Sequence, residues 1–153
     1  MKRSKEGAAL TELILETFRL NGQLLEAGDR LTAPLELTSA RWQVLGAIDY
    51  EGRPITVAQI GRRMGLSRQA VQRIINALEA QGFVRFTDNP DHKRAKLVEL
   101  TPRCVQTIEK LEAVQTLWAN ALAGDLSEAA IKRTTNLLGK IRTRCAAMEE
   151  DNK

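Results

Sequence analysis

Residues 65–82, GLSRQAVQRIINALEAQG, are the stretch from which the fold of this chain is inferred. The spacing predicts a helix from Ser67 to Gln81, ended by Gly82, with apolar residues recurring at steps of three and four along one buried stripe. The opposite face carries only arginine and amide side chains, namely Arg68, Gln69, Gln72, Arg73 and Asn76. Glu79 is the one acid on the helix, and it lies near the far end. A face that meets only water normally mixes acids with bases, so this face predicts a binding surface.

Length and composition limit the class of protein. A chain of 153 residues with 43% hydrophobic and 27% charged residues predicts one globular domain, residues 1–153. It contains no apolar run near the roughly 20 residues that span a bilayer, and its opening lacks the apolar core of a secretory signal. These features predict a cytoplasmic protein without membrane contact. Two cysteines and one histidine exclude a disulfide framework and a zinc cluster, so we expect no metal and no cofactor.

The positive charge is concentrated in the middle of the chain. Between Arg53 and Lys96 there are nine bases and three acids, an excess of six positive charges. Since the net charge of the whole chain is +4, the remainder carries an excess of two negative charges. A basic middle between mildly acidic ends predicts a nucleic-acid-binding face in that segment.

Helix signals divide the first part of the chain. A first amphipathic helix is predicted to end near Gly28. A second helix begins at Thr38 or Ser39, either of which is a suitable N-cap. Thr56 and Gln59 predict a capping box at the start of a short third helix, because each side chain satisfies an unpaired backbone amide.

Strand and helix signals follow the quoted stretch. FVRFT (83–87) and AKLVELT (95–101) are two runs of β-type alternation separated by the turn-forming DNPDHKR, which predicts a two-stranded hairpin with a charged tip. Thr101 and Pro102 have the residue types of an N-cap and a first helical position, so a long fifth helix begins there. Ser127 caps a sixth helix with a near-heptad apolar seam, which needs a partner helix.

The third and fourth helices meet at MGLS in the pattern of a helix-turn-helix. Gly61 is small where the two helices cross closely, and Gly65 is suited to a left-handed turn. Leu66 is expected to plug the corner, Ser67 to cap the second helix and Val71 to complete the joint core. The fold class is therefore mainly α with a small β-hairpin wing, a winged helix-turn-helix.

The exposed face of the fourth helix has the chemistry of base recognition. Arginine bonds bidentately to guanine, and glutamine or asparagine to adenine, from a helix in the major groove. The predicted DNA-binding residues of this recognition helix are Ser67, Arg68, Gln69, Gln72, Arg73 and Asn76. Those of the wing, expected at phosphates or the minor groove, are His92, Lys93, Arg94 and Lys96.

The stretches LTSARWQVLGAI, TVAQIGRRMGLSRQAVQRIINALEAQGFVRF and DNPDHKRAKLVELT resemble the MarR family of bacterial transcriptional regulators. The resemblance covers residues 10–148 and implies a DNA-binding lobe at 36–101 flanked by dimerisation helices at 8–28 and 102–149. It implies a homodimer that binds double-stranded DNA at a pseudo-palindromic operator. Repression is the predicted output because a compact dimer acts most simply by blocking polymerase, and activation stays an alternative. The residues expected at the dimer interface are Leu13, Phe18, Ile131, Leu138, Ile141 and Cys145.

Regulation of such a repressor is also implied by the resemblance. Many members release DNA when a small aromatic or anionic effector enters a cleft beside the DNA lobe, and Trp42 is a candidate to border it, although a tryptophan at this position is also an ordinary core residue. Other members sense oxidants through a cysteine near the first helix, which has none here. Cys104, in a first helical turn beside Arg103, has a setting expected to lower its pKa.

The wing departs from the family pattern at one position. Members commonly carry an aspartate just before the paired wing bases, where this chain has His92, and Asp91 is the candidate substitute. His92 is itself a candidate for a phosphate contact, beside the alternative of a merely exposed loop histidine.

Other functions stay open as alternatives. An enzyme is disfavoured because the sequence has no Gly-rich phosphate loop and no nucleophile with a base in a motif. A winged-helix module for protein–protein interaction and a nonspecific DNA-binding protein without effector are the remaining readings. A strongly salt-dependent affinity for duplex DNA distinguishes a DNA-binding protein from the interaction module.

Overall fold

The computed structural model describes residues 2–150, with side chains described for residues 2–148. Met1 and residues 151–153, which the sequence assigns to the same domain, lie outside the described residues. The order of elements in the described part is α1 (Lys5–Thr32), a 3₁₀ turn (Ala33–Leu35), α2 (Ser39–Asp49), β1 (Ile55–Thr56), α3 (Val57–Met64), α4 (Arg68–Ala80), β2 (Val84–Thr87), β3 (Leu97–Leu100), α5 (Pro102–Ala123) and α6 (Glu128–Glu150). The predicted class, mainly α with a small β wing, is confirmed.

Contacts divide the chain into two compact units, one ending at Gln115 and the other beginning at Thr116. The first unit contains α1 to α4, the sheet and the first part of α5. The second contains the rest of α5 and α6.

Helix α1 is capped at its start by Ser4 and runs through Gly28 to Thr32. The predicted stop near Gly28 was wrong. Gly28 is buried against α2, where an added Cβ would lie 2.5 Å from Ser39 Oγ. The contact is fixed by Asp29, whose carboxylate accepts a hydrogen bond of 2.6 Å from the Ser39 amide. A glycine that the sequence suggests as a terminator therefore serves close helix packing instead.

The core of the first unit lies between α2, α3, α4 and the sheet. Its completely enclosed apolar side chains include Val44, Leu45, Ile60, Val71, Ile75, Leu78 and Val98. On the predicted stripe of α4, Ile74 is half-buried and packs at the margin of the core. Trp42, for which a core position is one of the two alternatives, is also only half-buried. The face of α4 opposite this core is consequently free to project outward.

The sheet has three antiparallel strands in the order β1-β3-β2. The predicted hairpin is present as β2 and β3, with Val84 opposite Leu100 and Phe86 opposite Val98. The prediction of only two strands was incomplete, because β1 adds a two-residue pairing in which Ile55 lies opposite Val98. This pairing holds the start of α3 beside the wing.

The corner between α3 and α4 is built largely as predicted. Both hydrogen bonds of the Thr56 and Gln59 capping box are present, and Gly65 ends α3 in the left-handed conformation with φ of 64°. Leu66 does not plug the corner, since it is 40% exposed. Its backbone makes the turn instead, donating a hydrogen bond of 2.9 Å to the carbonyl of Gly61.

In the second unit, α6 begins after the predicted cap Ser127, whose Oγ accepts a hydrogen bond of 3.2 Å from the Ala130 amide. Ile131 and Leu138 of the predicted apolar seam are 43% and 37% exposed within the chain. The seam is therefore a surface of this chain.

Candidate nucleic-acid interface

The recognition helix α4 presents one face away from the core. It is capped by Ser67, whose Oγ accepts a hydrogen bond of 3.2 Å from the Ala70 amide. The predicted contact residues on its outer face are Arg68, Gln69, Arg73 and Asn76, which are exposed, and Gln72, which is half-buried. The sequence prediction that these side chains share a face thus agrees with their exposure.

Two amides of this face are linked to each other. Gln72 Nε2 donates a hydrogen bond of 2.8 Å to Asn76 Oδ1, one helical turn away. The bond leaves the Gln72 oxygen and the Asn76 amide nitrogen available, so the pair offers both an acceptor and a donor. An adenine edge in the major groove needs that combination.

The wing loop between β2 and β3 is organised by Asn89. Its Nδ2 donates a hydrogen bond of 2.9 Å to the carbonyl of Ala95, and its Oδ1 accepts one of 3.0 Å from the amide of Asp91. Among the ion pairs of the described residues, none involves the Asp91 carboxylate. The hydrogen bonds that shape the loop come from the side-chain amide of Asn89. The predicted wing residues, all of them exposed, are His92, Lys93, Arg94 and Lys96.

Helix and wing meet around a basic cleft. The cleft has a volume of about 330 Å³ and is lined on one side by Arg68 and Gln72 and on the other by Arg94 and Lys96. The first residues of α3 complete it, and the N-terminus of a helix carries partial positive charge. Three bases around one opening create a favourable position for a phosphate group. The sequence placed these residues on separate elements and did not predict the cleft.

Some bases of the middle segment are paired with acids that flank it. Glu51 pairs with Arg63 and, at 3.5 Å, with Arg53. Glu99 lies directly opposite Arg85 in the sheet, and the Arg85 side chain bonds to it over 2.9 Å. This hydrogen bond lowers the pKa of Glu99 and keeps the carboxylate charged.

Three of the nine bases between Arg53 and Lys96 are thus paired with acids just outside the counted segment. The excess of six positive charges overstated the free positive charge of this surface. Arg68, Arg73, Lys93, Arg94 and Lys96 have no ion pair among those of the described residues, and these bases lie on the recognition helix and the wing.

Cys104 contradicts the expectation of an activated thiol. It is completely buried, and burial, with a smaller effect of the Asp49 charge, raises the pKa of the Cys104 thiol to about 12. The adjacent Arg103 does not lower it, because the guanidinium points to Gln81 and Phe83. The predicted lowering of this pKa was wrong, because desolvation disfavours the charged thiolate.

The residues expected at a dimer interface lie on α1 and α6. Phe18 is 68% exposed, although phenylalanine is among the residues that are most often buried. Leu13 and Ile141 are half-buried, and Ile131, Leu138 and Cys145 are exposed.

No described helix is long and apolar enough to cross a membrane. Within the same residues, no group of three or more histidine, cysteine, aspartate or glutamate side chains is placed to hold a metal ion.

A family model described as the MarR family matches residues 35–95. An uncharacterized protein of Mycobacterium tuberculosis is 32% identical over 132 residues, which cover 86% of this chain and 91% of that protein.

Solved structures share the fold over most of the chain. The crystal structure of an E. coli MarR variant complexed with operator DNA has 27% identity and a TM-score of 0.69, covering 86% of this chain and 97% of that one. CouR from Rhodococcus jostii, solved with p-coumaroyl-CoA bound, has 20% identity and a TM-score of 0.73, covering 80% of this chain and 86% of CouR.

Proposed function

The chain belongs to the MarR family of transcriptional regulators, and from that premise we propose that it is a homodimeric repressor that binds a pseudo-palindromic operator and is released by a small-molecule effector. The observation that carries the proposal is the outer face of α4, where two exposed arginines and a set of amides lie opposite an apolar stripe whose Val71, Ile75 and Leu78 are completely buried. A helix built this way has its recognition chemistry pointing outward and held rigidly from behind.

The recognition helix is proposed to read bases in the major groove. Arg68 and Arg73 suit guanine, and the linked pair of Gln72 and Asn76 suits adenine. Gln69 and Ser67 complete the contacts near the start of the helix, where such helices approach base edges most closely.

The wing is proposed to bind the sugar-phosphate backbone. Its exposed bases surround the opening shared with Arg68, which supports a phosphate position between helix and wing. His92 and Lys93 are exposed near the middle of the loop between β2 and β3 and are proposed to reach the adjacent minor groove.

Dimerisation is proposed to cover the exposed apolar residues of α1 and α6. On α1, Leu10, Ile14 and Phe18 follow one another at four-residue spacing and are 41%, 39% and 68% exposed. Such a contiguous row on a helix is expensive to leave in water. A second copy presenting the same row is the simplest cover, because two-fold symmetry makes an interface self-complementary.

An effector is proposed from the family and from the relative CouR, which is bound to p-coumaroyl-CoA. The ligand class expected here is small, aromatic or anionic. Trp42 is the candidate contact residue, since its half-buried ring on α2 leaves part of an aromatic surface accessible. Repression is the proposed output because a dimer on an operator blocks polymerase without further parts.

Selection of bound duplexes from a random DNA pool at near-physiological salt tests the proposal. Recovery of an inverted repeat with half-site centres about 10 base pairs apart is the expected result. A pool without a shared motif, bound only at low salt, contradicts it and favours a nonspecific DNA-binding protein. Failure to bind duplex DNA at any salt concentration favours a protein–protein interaction module.

A further inference from the structure

The C-terminal end of the recognition helix is held by a residue of α5. Gln81 caps α4, and its backbone carbonyl accepts a hydrogen bond of 2.8 Å from Arg103 Nη1. Carbonyls at a helix C-terminus carry partial negative charge, so a guanidinium is a favourable partner there. Arg103 therefore makes a charge-assisted hydrogen bond to the C-terminal end of α4. The N-terminal end of that helix is the one proposed to contact DNA.

The same guanidinium is fixed by a second contact. It lies over the ring of Phe83, with its central carbon 4.9 Å from the ring centroid. Phe83 is only 2% exposed and belongs to the core between α4 and the sheet. The cation–π contact orients the plane of the guanidinium, and the hydrogen bond orients its edge.

Arg103 stands on the first turn of α5, which is joined to the same segment. Thr101 Oγ1 donates a hydrogen bond of 2.7 Å to the carbonyl of Gly82 and accepts one of 3.2 Å from the amide of Cys104. One hydroxyl thus caps α5 and binds the turn that ends α4. Arg103 adds the link from α5 to the helix itself.

We propose that Arg103 is a positioning residue that sets the angle of the recognition helix by fixing its C-terminal end to α5. The inference rests on the proposed DNA-binding function and assigns to Arg103 no contact with DNA. Its effect on recognition acts through Gln81 and Phe83.

A small change of angle is enough to matter. Helix α4 has 13 residues, so its two ends are roughly 20 Å apart. A tilt of about 5° about the C-terminal end moves the first turn by almost 2 Å, which breaks hydrogen bonds to base edges. Phosphate contacts made by flexible arginine and lysine side chains tolerate such a movement better. Loss of Arg103 is therefore expected to reduce selectivity more than overall DNA affinity.

The test compares Arg103→Gln and Arg103→Lys with a matched control, Lys110→Gln, which removes one positive charge from an exposed position of the same helix. Each full-length variant is titrated with the duplex recovered by selection with the unsubstituted chain and with an unrelated duplex of equal length. For Arg103→Gln we expect about a tenfold loss of affinity for the selected duplex, with affinity for the unrelated duplex and the salt dependence unchanged. Arg103→Lys retains a charged donor but loses the planar stacking. Its affinity for the selected duplex is expected to lie between those of the unsubstituted chain and Arg103→Gln.

Hydrogen exchange supplies a readout that does not depend on DNA. The amides of Gly82 and Phe83 donate to the carbonyls of Glu79 and Leu78 at 2.8 and 2.9 Å. In Arg103→Gln these two amides are expected to exchange faster, while amides of α2 keep their protection. If Arg103→Gln does not fold, the DNA titrations and the exchange measurement are made on Arg103→Lys.

Three outcomes overturn the proposal. Equal loss on both duplexes, with the logarithmic salt slope reduced by about one, means that Arg103 binds a phosphate. Unchanged selectivity means that it has no positioning role. Faster exchange throughout α2 as well means a general stabilising role. If the unsubstituted chain selects no motif, the proposed function fails, whereas the exchange experiment still reports on the Arg103 contact.

Discussion

Gly61 of α3 approaches the carbonyl oxygen of Leu66 so closely that an added Cβ would lie 2.9 Å from it. The neighbouring atom belongs to the backbone of the turn and cannot move without shifting the start of α4. We predict that Gly61→Ala lowers the free energy of unfolding by about 1–3 kcal/mol, measured by urea denaturation.

Gly46 of α2 provides the matched control. Nothing lies within 4 Å of a Cβ at that position. Gly46→Ala is expected to raise the free energy of unfolding by about 0.5–1 kcal/mol, because alanine loses less backbone entropy in a helix. Similar effects of the two substitutions would contradict the close crossing of α3 and α4.

The Thr56 capping box is predicted to contribute measurably to the stability of α3. Thr56 Oγ1 accepts from the Gln59 amide at 3.3 Å, and Gln59 Oε1 accepts from the Thr56 amide at 2.7 Å. Thr56→Ala is expected to cost about 0.5–2 kcal/mol in thermal or urea unfolding. Thr56→Ser keeps the hydroxyl and is expected to restore most of that loss; a serine variant as unstable as the alanine variant argues against the cap.

Cys104 is predicted to be chemically inert in the folded chain. The thiolate is the reactive form, and the pKa of the Cys104 thiol is raised to about 12 by burial. In a Cys145→Ser variant, a thiol reagent at mildly alkaline pH is expected to modify Cys104 only after denaturant is added. Rapid modification of the native variant would show that this part of the core opens.

The same thiol makes stability depend on pH. In the unfolded chain it loses its proton near its ordinary pKa of 9.0, whereas in the folded chain it keeps the proton up to about 12. The folded state therefore binds more protons in this window, and the free energy of unfolding falls as pH rises from about 9 towards about 12. Cys104→Ala is expected to show a shallower fall than the unsubstituted chain between about pH 8 and about pH 10; an equal fall in both would assign the effect to other groups.

Recognition helix and wing are predicted to differ in their effect on DNA binding. Arg73→Ala is expected to cost about 1–3 kcal/mol on the selected duplex and little on unrelated DNA. Arg94→Ala is expected to weaken binding to both duplexes alike and to reduce the logarithmic salt slope by about one. Affinity titrations at several salt concentrations make the comparison, and equal loss of selectivity from both variants would contradict the separate roles.

Local features of the fold were predictable because neighbouring residues cause them. The Thr56 box, the left-handed Gly65 and the Ser67 cap depend on contacts within a few residues, and each is present. The outward face of α4 also followed from spacing alone, since helical geometry decides which side chains share a face.

Features that depend on distant residues were missed or wrong. Strand β1 has two residues and exists through its pairing with β3, and two residues are too few to show the alternation that predicts a strand. The end of α1 was predicted near Gly28 because a glycine often ends a helix. Its contact with Ser39, which explains the glycine, depends on packing against α2 and cannot be seen in the local sequence. The direction of the Cys104 pKa shift was predicted wrongly because burial, which no neighbouring residue reveals, raises the pKa, while the adjacent Arg103 is directed to Gln81 and Phe83.

The strand order has a consequence for how copies of this chain associate. Because β3 lies in the centre, β1 and β2 are the two edges of the sheet. β1 has two residues directly after Pro54, and β2 has four with the exposed Arg85 among them. Short edges that carry a charge or follow a proline are poor templates for a strand from another molecule. Two molecules that meet at high concentration therefore do not readily pair their edge strands. The sheet thus resists the edge-to-edge growth that leads to aggregates.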